Sequence, residues 1–261
     1  MQYTGIPILK HFGAFRPDQI EATSSASYAQ VRYNDGVGPG TVWTELGHLS
    51  TVLNWALKRG FISYKPYIKC PAKPAPSEKF FTRPEIERLL SAPDTPHHIQ
   101  LAMLLMLGTA GRQEAILELT WDRIDFHRGQ IDLRRPAAYT RKGRAVVPMS
   151  EGLQSALTFA QTAAVSEYVI EWAGRRVKSI RRGLESVGRR AGVDGVSAHV
   201  FRHTAAVHMA EAGLSMSEIS QFLGHSNTAI TERVYARYSP THLRRAADVL
   251  DFSTLKKGHA Q

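Results

Sequence analysis

The chain has 261 residues, 43% of them hydrophobic, with a formal net charge of +10 and a pI near 9.9. That length fits one or two domains with a sizeable core, and so large a basic excess points to a polyanionic partner, nucleic acid first. Cys70 is the sole cysteine, which excludes an internal disulfide and a cysteine-built metal site and fits a reducing, cytoplasmic setting.

Residues 1–15, MQYTGIPILKHFGAF, lack a basic region followed by a long apolar run, so no signal peptide is expected. A short helix is expected around 18–33 and a loop at GVGPG, 36–40. TVWTELGHLSTVLNWALKRG then spaces Val42, Leu46, Leu49, Val52, Leu53, Ala56 and Leu57 as one helical face that ends at Gly60. By itself this region is short for a well-packed bundle. The seam is KCPAKPAPSEKFF, 69–81, whose prolines favour an extended linker.

Thr82 and Glu85 form a capping box, with Pro84 in the first turn, and open a helix and a second domain. LAMLLMLGTAG at 101–111 is apolar nearly all round, too short to span a bilayer and suited to a buried helix. QEAILELTW continues as helix after Gly111. RIDFHRGQIDLRR and RAVVPMS read as strands around basic turns. Ser150 caps a helix over 151–164, and VKSIRRGLESVGRRAG is an amphipathic helix ending at glycine. Ser215 and Glu218 form another capping box, and Ser239-Pro240 starts a last helix. The predicted class is mainly α with a small antiparallel sheet.

Several polar residues stand where bland and chemical roles compete. Arg112, at the end of the buried helix, is costly there unless it pairs with Glu114 or Glu118 or faces a site. His199 and Arg202, in HVFRH, share one helical face. His203 makes an i, i+4 pair with His199, but Val200 stands where a zinc-protease pattern needs glutamate and no third ligand is near, so no metal is expected. His225 follows Gly224 just past a helix end, and Tyr235 lies on an amphipathic helix where tyrosine is ordinarily core or interface.

Taken in order, GTAGR, HVFRHTAAVHMAEAG and FLGHSNTAITERVYARY closely resemble the catalytic domain of the tyrosine recombinase family, the phage-integrase type. The match covers about residues 78–250. The resemblance implies a tyrosine-recombinase and type IB topoisomerase-like fold, and site-specific cutting and rejoining of double-stranded DNA through a 3′-phosphotyrosyl intermediate, with neither metal, cofactor nor ATP. It implies that Tyr235 is the nucleophile, that Arg112 and Arg202 neutralise the pentavalent phosphorus, that His199 assists proton transfer and that His225 bonds a phosphate oxygen. Lys142, the one lysine between the two strands, takes the place of the family's hairpin lysine and protonates the leaving 5′-oxygen. Ala115 stands where many members carry an acid, with Glu114 one position earlier. Tyr238 is the rival nucleophile, and the V-Y-A-R pattern and spacing from His225 favour Tyr235.

By the same resemblance, residues 1–68 are a shortened helical core-binding region that clamps DNA, 69–81 a linker, and 82–261 the catalytic domain with its tail. The tail, with Leu243, Ala246, Ala247 and Leu250 at helical spacing, implies docking on a neighbour and a homotetramer on DNA, a monomer being compatible with the DNA-free state. The basic run Arg175, Arg176, Lys178, Arg181, Arg182, Arg189 and Arg190 holds one acid, Glu185, and reads as a phosphate-tracking surface. Two other functions fit parts of the pattern: a non-catalytic DNA-binding protein using 213–238 as a helix-turn-helix, and an enzyme that only relaxes supercoils.

Overall fold

The computed structural model describes residues 2–75, 78–134, 145–240 and 243–250. The chain divides into two compact units between Ser77 and Glu78. Each has its own core.

The first unit carries three helices, α1 (Gln2–Phe12), α2 (Ala22–Asn34) and α3 (Pro39–Lys58). Gly38 precedes Pro39 at the start of α3, where proline loses no helical hydrogen bond. The expected apolar face of α3 buries Val42, Leu46, Leu49 and Leu53 against Ile8, Phe12, Ile20, Tyr28 and Ile68. Val52, expected on that face, is exposed. Glu45 is buried among them and is fully partnered: Arg32 grips both its oxygens, at 2.8 and 3.0 Å, and the Tyr28 hydroxyl donates to it at 2.8 Å. Those three bonds offset the desolvation of the carboxylate, so the short region does build a packed core.

In the second unit Thr82 caps α4 (Arg83–Leu90), with the reciprocal Glu85 bond in place. Residues 78–81, expected as linker, belong to this unit: Phe81 is fully buried, and its N–H donates to the Thr204 hydroxyl at 2.9 Å. Helix α5 (His97–Thr109) is the buried apolar helix, and its largest packing partner is α9 (Ala198–Glu211). Helix α6 (Gln113–Leu117) is shorter than predicted. Beyond it the backbone extends so that Leu119 accepts from the Val169 N–H and the Trp121 N–H reaches Glu167 O, which no continuing helix allows.

A three-stranded antiparallel sheet follows, β1 (Ile124–Asp125), β2 (Gln130–Asp132) and β3 (Val146–Pro148), in the register Ile124–Ile131–Val147. Lys142 lies between β2 and β3, outside the described residues. Ser150 caps α7 (Glu151–Thr162). A two-stranded hairpin, β4 (Glu171–Trp172) and β5 (Arg175–Arg176), turns at Ala173 and Gly174, both at positive φ. The expected helix over 177–192 therefore starts only at Arg181 (α8, Arg181–Ala191), with Gly192 closing it in the left-handed conformation. Helices α9, α10 (Met216–Leu223) and α11 (Thr228–Tyr235) complete the body, and α12 (Arg244–Val249) follows. No helix among the described residues is long and apolar enough to cross a membrane.

Candidate active site

Four separated segments meet around Arg202. Helix α5 ends at Ala110, whose left-handed backbone (φ 47°) turns the chain so that its carbonyl points at α9. The guanidinium of Arg202, 6% exposed, donates from Nη1 to Ala110 O at 2.6 Å and from Nη2 to Leu223 O at 2.9 Å, the last residue of α10. Nη2 also lies 3.1 Å from His225 Nε2. Arginine has only donors, so Nε2 is the acceptor and the imidazole is neutral, with its proton on Nδ1. That proton faces the Thr231 hydroxyl at 2.9 Å.

Charge follows geometry. Burial, then the Arg112 charge, pushes Arg202 down to about 10, so it keeps its proton at neutral pH. Burial, then Arg202 and Arg112, pushes His225 down to about 4. Arg112 is exposed at the start of α6, with its charge felt by both. The tight turn before it leaves no room for a side chain at Gly111: a Cβ there would meet Ile116 Cδ1 at 2.7 Å and Thr109 Oγ1 at 2.9 Å.

His225 is placed by a Schellman turn at the end of α10. Gly224 is left-handed (φ 66°), the Gly224 N–H reaches Gln221 O, and the His225 N–H reaches Ser220 O. Thr231, fully buried, stands one helical turn before Tyr235 on α11. The Tyr235 phenol is 3.3 Å from His203 Nδ1 and 7% of the residue is exposed. Burial raises its pKa, and the Arg202 charge opposes that. Tyr238 instead receives Arg237 Nη2 at 3.1 Å and packs edge-on against Phe80.

The structure thus brings Arg112, Arg202, His225 and Tyr235 into one electrostatic cluster. His199 is exposed, one turn before Arg202, and lines a cleft of about 740 Å³ with Gln113, Arg181, Arg189 and Ser197. The basic run is not one helical face. Arg175 and Arg176 are on the hairpin, Lys178 on a loop, and Arg181, Arg182, Arg189 and Arg190 on α8. Sequence alone gave Thr231 no role and His203 only a packing or structural hydrogen-bonding one. No group of histidine, cysteine and acidic residues among the described residues has metal-binding geometry.

A model of the phage integrase family matches residues 79–242. The chain belongs to the phage integrase family. Its similarity to the tyrosine recombinase XerA of Thermococcus kodakarensis is 33% identity over 190 residues, 69% of this chain and 66% of that protein, so the match spans just under two thirds of the relative's length. Two solved integrases share the fold at 17% identity. The Tn1549 transposon integrase in complex with a circular intermediate DNA has a TM-score of 0.77 over 95% of this chain and 92% of that one. A λ integrase tetramer bound to a Holliday junction has a TM-score of 0.70 over 91% of this chain and 70% of that one. As a family member the chain has the mainly helical, small-sheet fold that its motif order implied.

Proposed function

We propose that this integrase-family chain is a site-specific recombinase that cuts and rejoins double-stranded DNA through Tyr235. The observation that carries this reading is a buried phenol in the field of Arg202, in one cluster with Arg112 and His225. Tyr238 is instead hydrogen-bonded to Arg237 and packed edge-on against Phe80, whereas the Arg202 charge acts on Tyr235.

The chemistry balances without a cofactor. The Tyr235 oxygen attacks phosphorus and forms a 3′-phosphotyrosyl bond as the bond to the 5′-oxygen breaks. His199 takes the phenol proton at the exposed edge of α9, and Lys142 protonates the departing 5′-oxygen. Arg112 and Arg202 neutralise the charge that builds on the non-bridging oxygens. With its Nε2 accepting from Arg202, His225 aims that guanidinium; a bound phosphate anion, by drawing Arg202 toward itself and favouring protonation of Nε2, turns the imidazole into a donor to phosphate. The covalent link conserves the bond energy, so a 5′-hydroxyl from another strand reseals the DNA.

The first unit acts as the shortened core-binding region of residues 1–68, gripping the DNA, with the basic surfaces of α8 and the β4–β5 hairpin along the backbone. On DNA the protein works as a homotetramer linked through its tail; exposed Leu243, Val249 and Leu250 on and beside α12 supply an apolar docking face. Off DNA it is a monomer, and its setting is the cytoplasm. The test is incubation with a nicked suicide duplex carrying its recombination site, followed by a denaturing gel. Wild type is expected to give a covalent protein–DNA band and Tyr235→Phe none; a band from the Tyr235→Phe protein overturns the assignment.

A further inference from the structure

His203 is buried, with 6% of the residue exposed, and belongs to none of the roles above. Its Nδ1 faces the Tyr235 hydroxyl at 3.3 Å, and the two rings lie 5.3 Å apart, inclined at 38°. Its Nε2 is buried with no hydrogen-bond partner among the described residues. A buried polar atom left unpaired is costly, and a leucine or phenylalanine would fill the same space without that cost. The site therefore tolerates an imidazole for what its other nitrogen does.

What Nδ1 does is set by the groups around it. His199 precedes it by one turn on α9, Arg237 and Tyr238 approach from the turn after α11, and Glu78 from the segment before α4. Burial, then His199 and Arg237, holds the imidazole below its ordinary range, with Glu78 opposing, so it is neutral at pH 7. The phenol is also neutral, since burial raises its pKa. A neutral phenol needs an acceptor and a neutral imidazole has one, so Nδ1 accepts from the hydroxyl and the imidazole proton sits on Nε2.

This contact closes a ring. Arg202 bonds His225, His225 bonds Thr231, α11 runs from Thr231 to Tyr235, Tyr235 bonds His203, and His203 is the neighbour of Arg202 on α9. Helix α11 is pinned to the arginine at both ends of its last turn.

We propose that His203 is a positioning residue for the nucleophile: its Nδ1 accepts the hydrogen bond of the Tyr235 phenol and fixes the direction from which the phenol oxygen meets a phosphate held by Arg202. The inference rests on Tyr235 being the nucleophile. The imidazole is neutral and sets the place of the phenol oxygen in the resting site by this bond; as the oxygen attacks, the phenol proton leaves Nδ1 for His199, so His203 itself is not the base.

Two substitutions separate positioning from packing. His203→Leu fills the space without an acceptor, and His203→Asn keeps a hydrogen-bonding atom at the δ position. In the suicide-duplex assay with saturating DNA, His203→Leu is expected to slow adduct formation by about tenfold to a hundredfold, with an unchanged Kd for the duplex. His203→Asn is expected within about threefold of wild type. His203→Leu at the wild-type rate, or both variants equally slow, overturns the proposal. Wild type giving no adduct beside an inert Tyr235→Phe sinks the nucleophile assignment itself, and this inference with it. The contact has a test that needs no DNA: thermal unfolding of wild type, His203→Leu, Tyr235→Phe and the double variant. Non-additive Tm shifts are expected; strictly additive ones show that the two side chains are not coupled and overturn the proposal.

Discussion

The guanidinium of Arg202 donates to the carbonyl of Ala110 at 2.6 Å across 92 residues of sequence. The bond orients a buried cation through a backbone atom, and the backbone atom is itself held in the left-handed conformation at φ 47°. An ammonium cannot reproduce the planar fork that reaches Ala110 O, Leu223 O and His225 together. Arg202→Lys is therefore expected to fold with reduced stability, because a buried carbonyl left unpaired costs about 1–3 kcal/mol. It should slow covalent adduct formation by about a hundredfold or more, as for loss of an oxyanion donor. A single-turnover time course against wild type checks this; a rate within a factor of about three would remove Arg202 from the reaction.

Gly111 is the joint between Ala110 and Arg112. A methyl group there would press on Ile116 at 2.7 Å, Thr109 at 2.9 Å and Leu133 at 3.2 Å. The atoms met are side-chain ends, but Ile116 and Leu133 are packed in the main core, so relief disturbs that packing or shifts the turn that carries Arg112. Gly111→Ala is expected to lower stability by about 1–3 kcal/mol and to slow cleavage further than the stability loss explains, because misplacing a catalytic group by about 1 Å can cost a hundredfold. Chemical denaturation and adduct kinetics on one preparation measure both. A variant as stable and as fast as wild type would mean the turn adjusts freely.

His225 makes stability depend on pH with a definite sign. Its pKa falls from an ordinary 6.5 to about 4 in the folded chain, through burial first and then Arg202 and Arg112. Above 6.5 the imidazole is neutral whether the chain is folded or not, and its contribution is fully present. As pH falls from 6.5 to about 4, the unfolded chain takes up a proton that the folded one refuses, and stability is lost. His203 and His98 are shifted in the same direction and add to the trend. Unfolding free energies at pH 7.5 and pH 5 should differ less in His225→Gln than in wild type. An equal difference in the two proteins would show that His225 does not carry the shift.

The candidate cluster could be proposed from sequence because its residues sit in motif frames whose spacing survives folding. Arg112 after a glycine turn, His199 and Arg202 on one helical face, and His225 after Gly224 are local arrangements. What was not legible depends on tertiary partners. Helix α1 holds Pro7 in its interior, so sequence argues against it; packing of Ile8 and Phe12 on α3 supplies the stability. Helix α2 falls where a short helix was expected, but it buries only Ser25 and Tyr28, and the Tyr28–Glu45–Arg32 network that holds it had no signal in the sequence. The β4–β5 hairpin uses alanine at positive φ where asparagine or glycine is the usual signal, and its strands are two residues each. Thr231 and His203 acquired their roles only when α10 and α11 folded back onto α9.

The basic residues are unequal as phosphate ligands. Arg181 pairs with Glu185 at 2.8 Å, Arg176 reaches Glu118 at 3.4 Å, and Arg190 bonds Ser186 and Thr95. The side chains of Arg175, Lys178, Arg182 and Arg189 have no ion pair or hydrogen bond among the described residues and are exposed. Arg189 also lines the cleft beside His199. A phosphate competes with no internal partner at these four, so they should release counterions on binding. Replacing Arg182 and Arg189 together by alanine is expected to weaken DNA binding and to make the slope of log K against log salt shallower by about 0.9 for each phosphate no longer neutralised. Replacing Arg181 and Arg190 should change the slope less, since part of each charge is already engaged. Affinity titrations from low to moderate salt on the two double variants read this directly. If the Arg181 and Arg190 pair gave the larger change in slope, DNA would have to break those internal bonds, and α8 would present a different edge to the backbone.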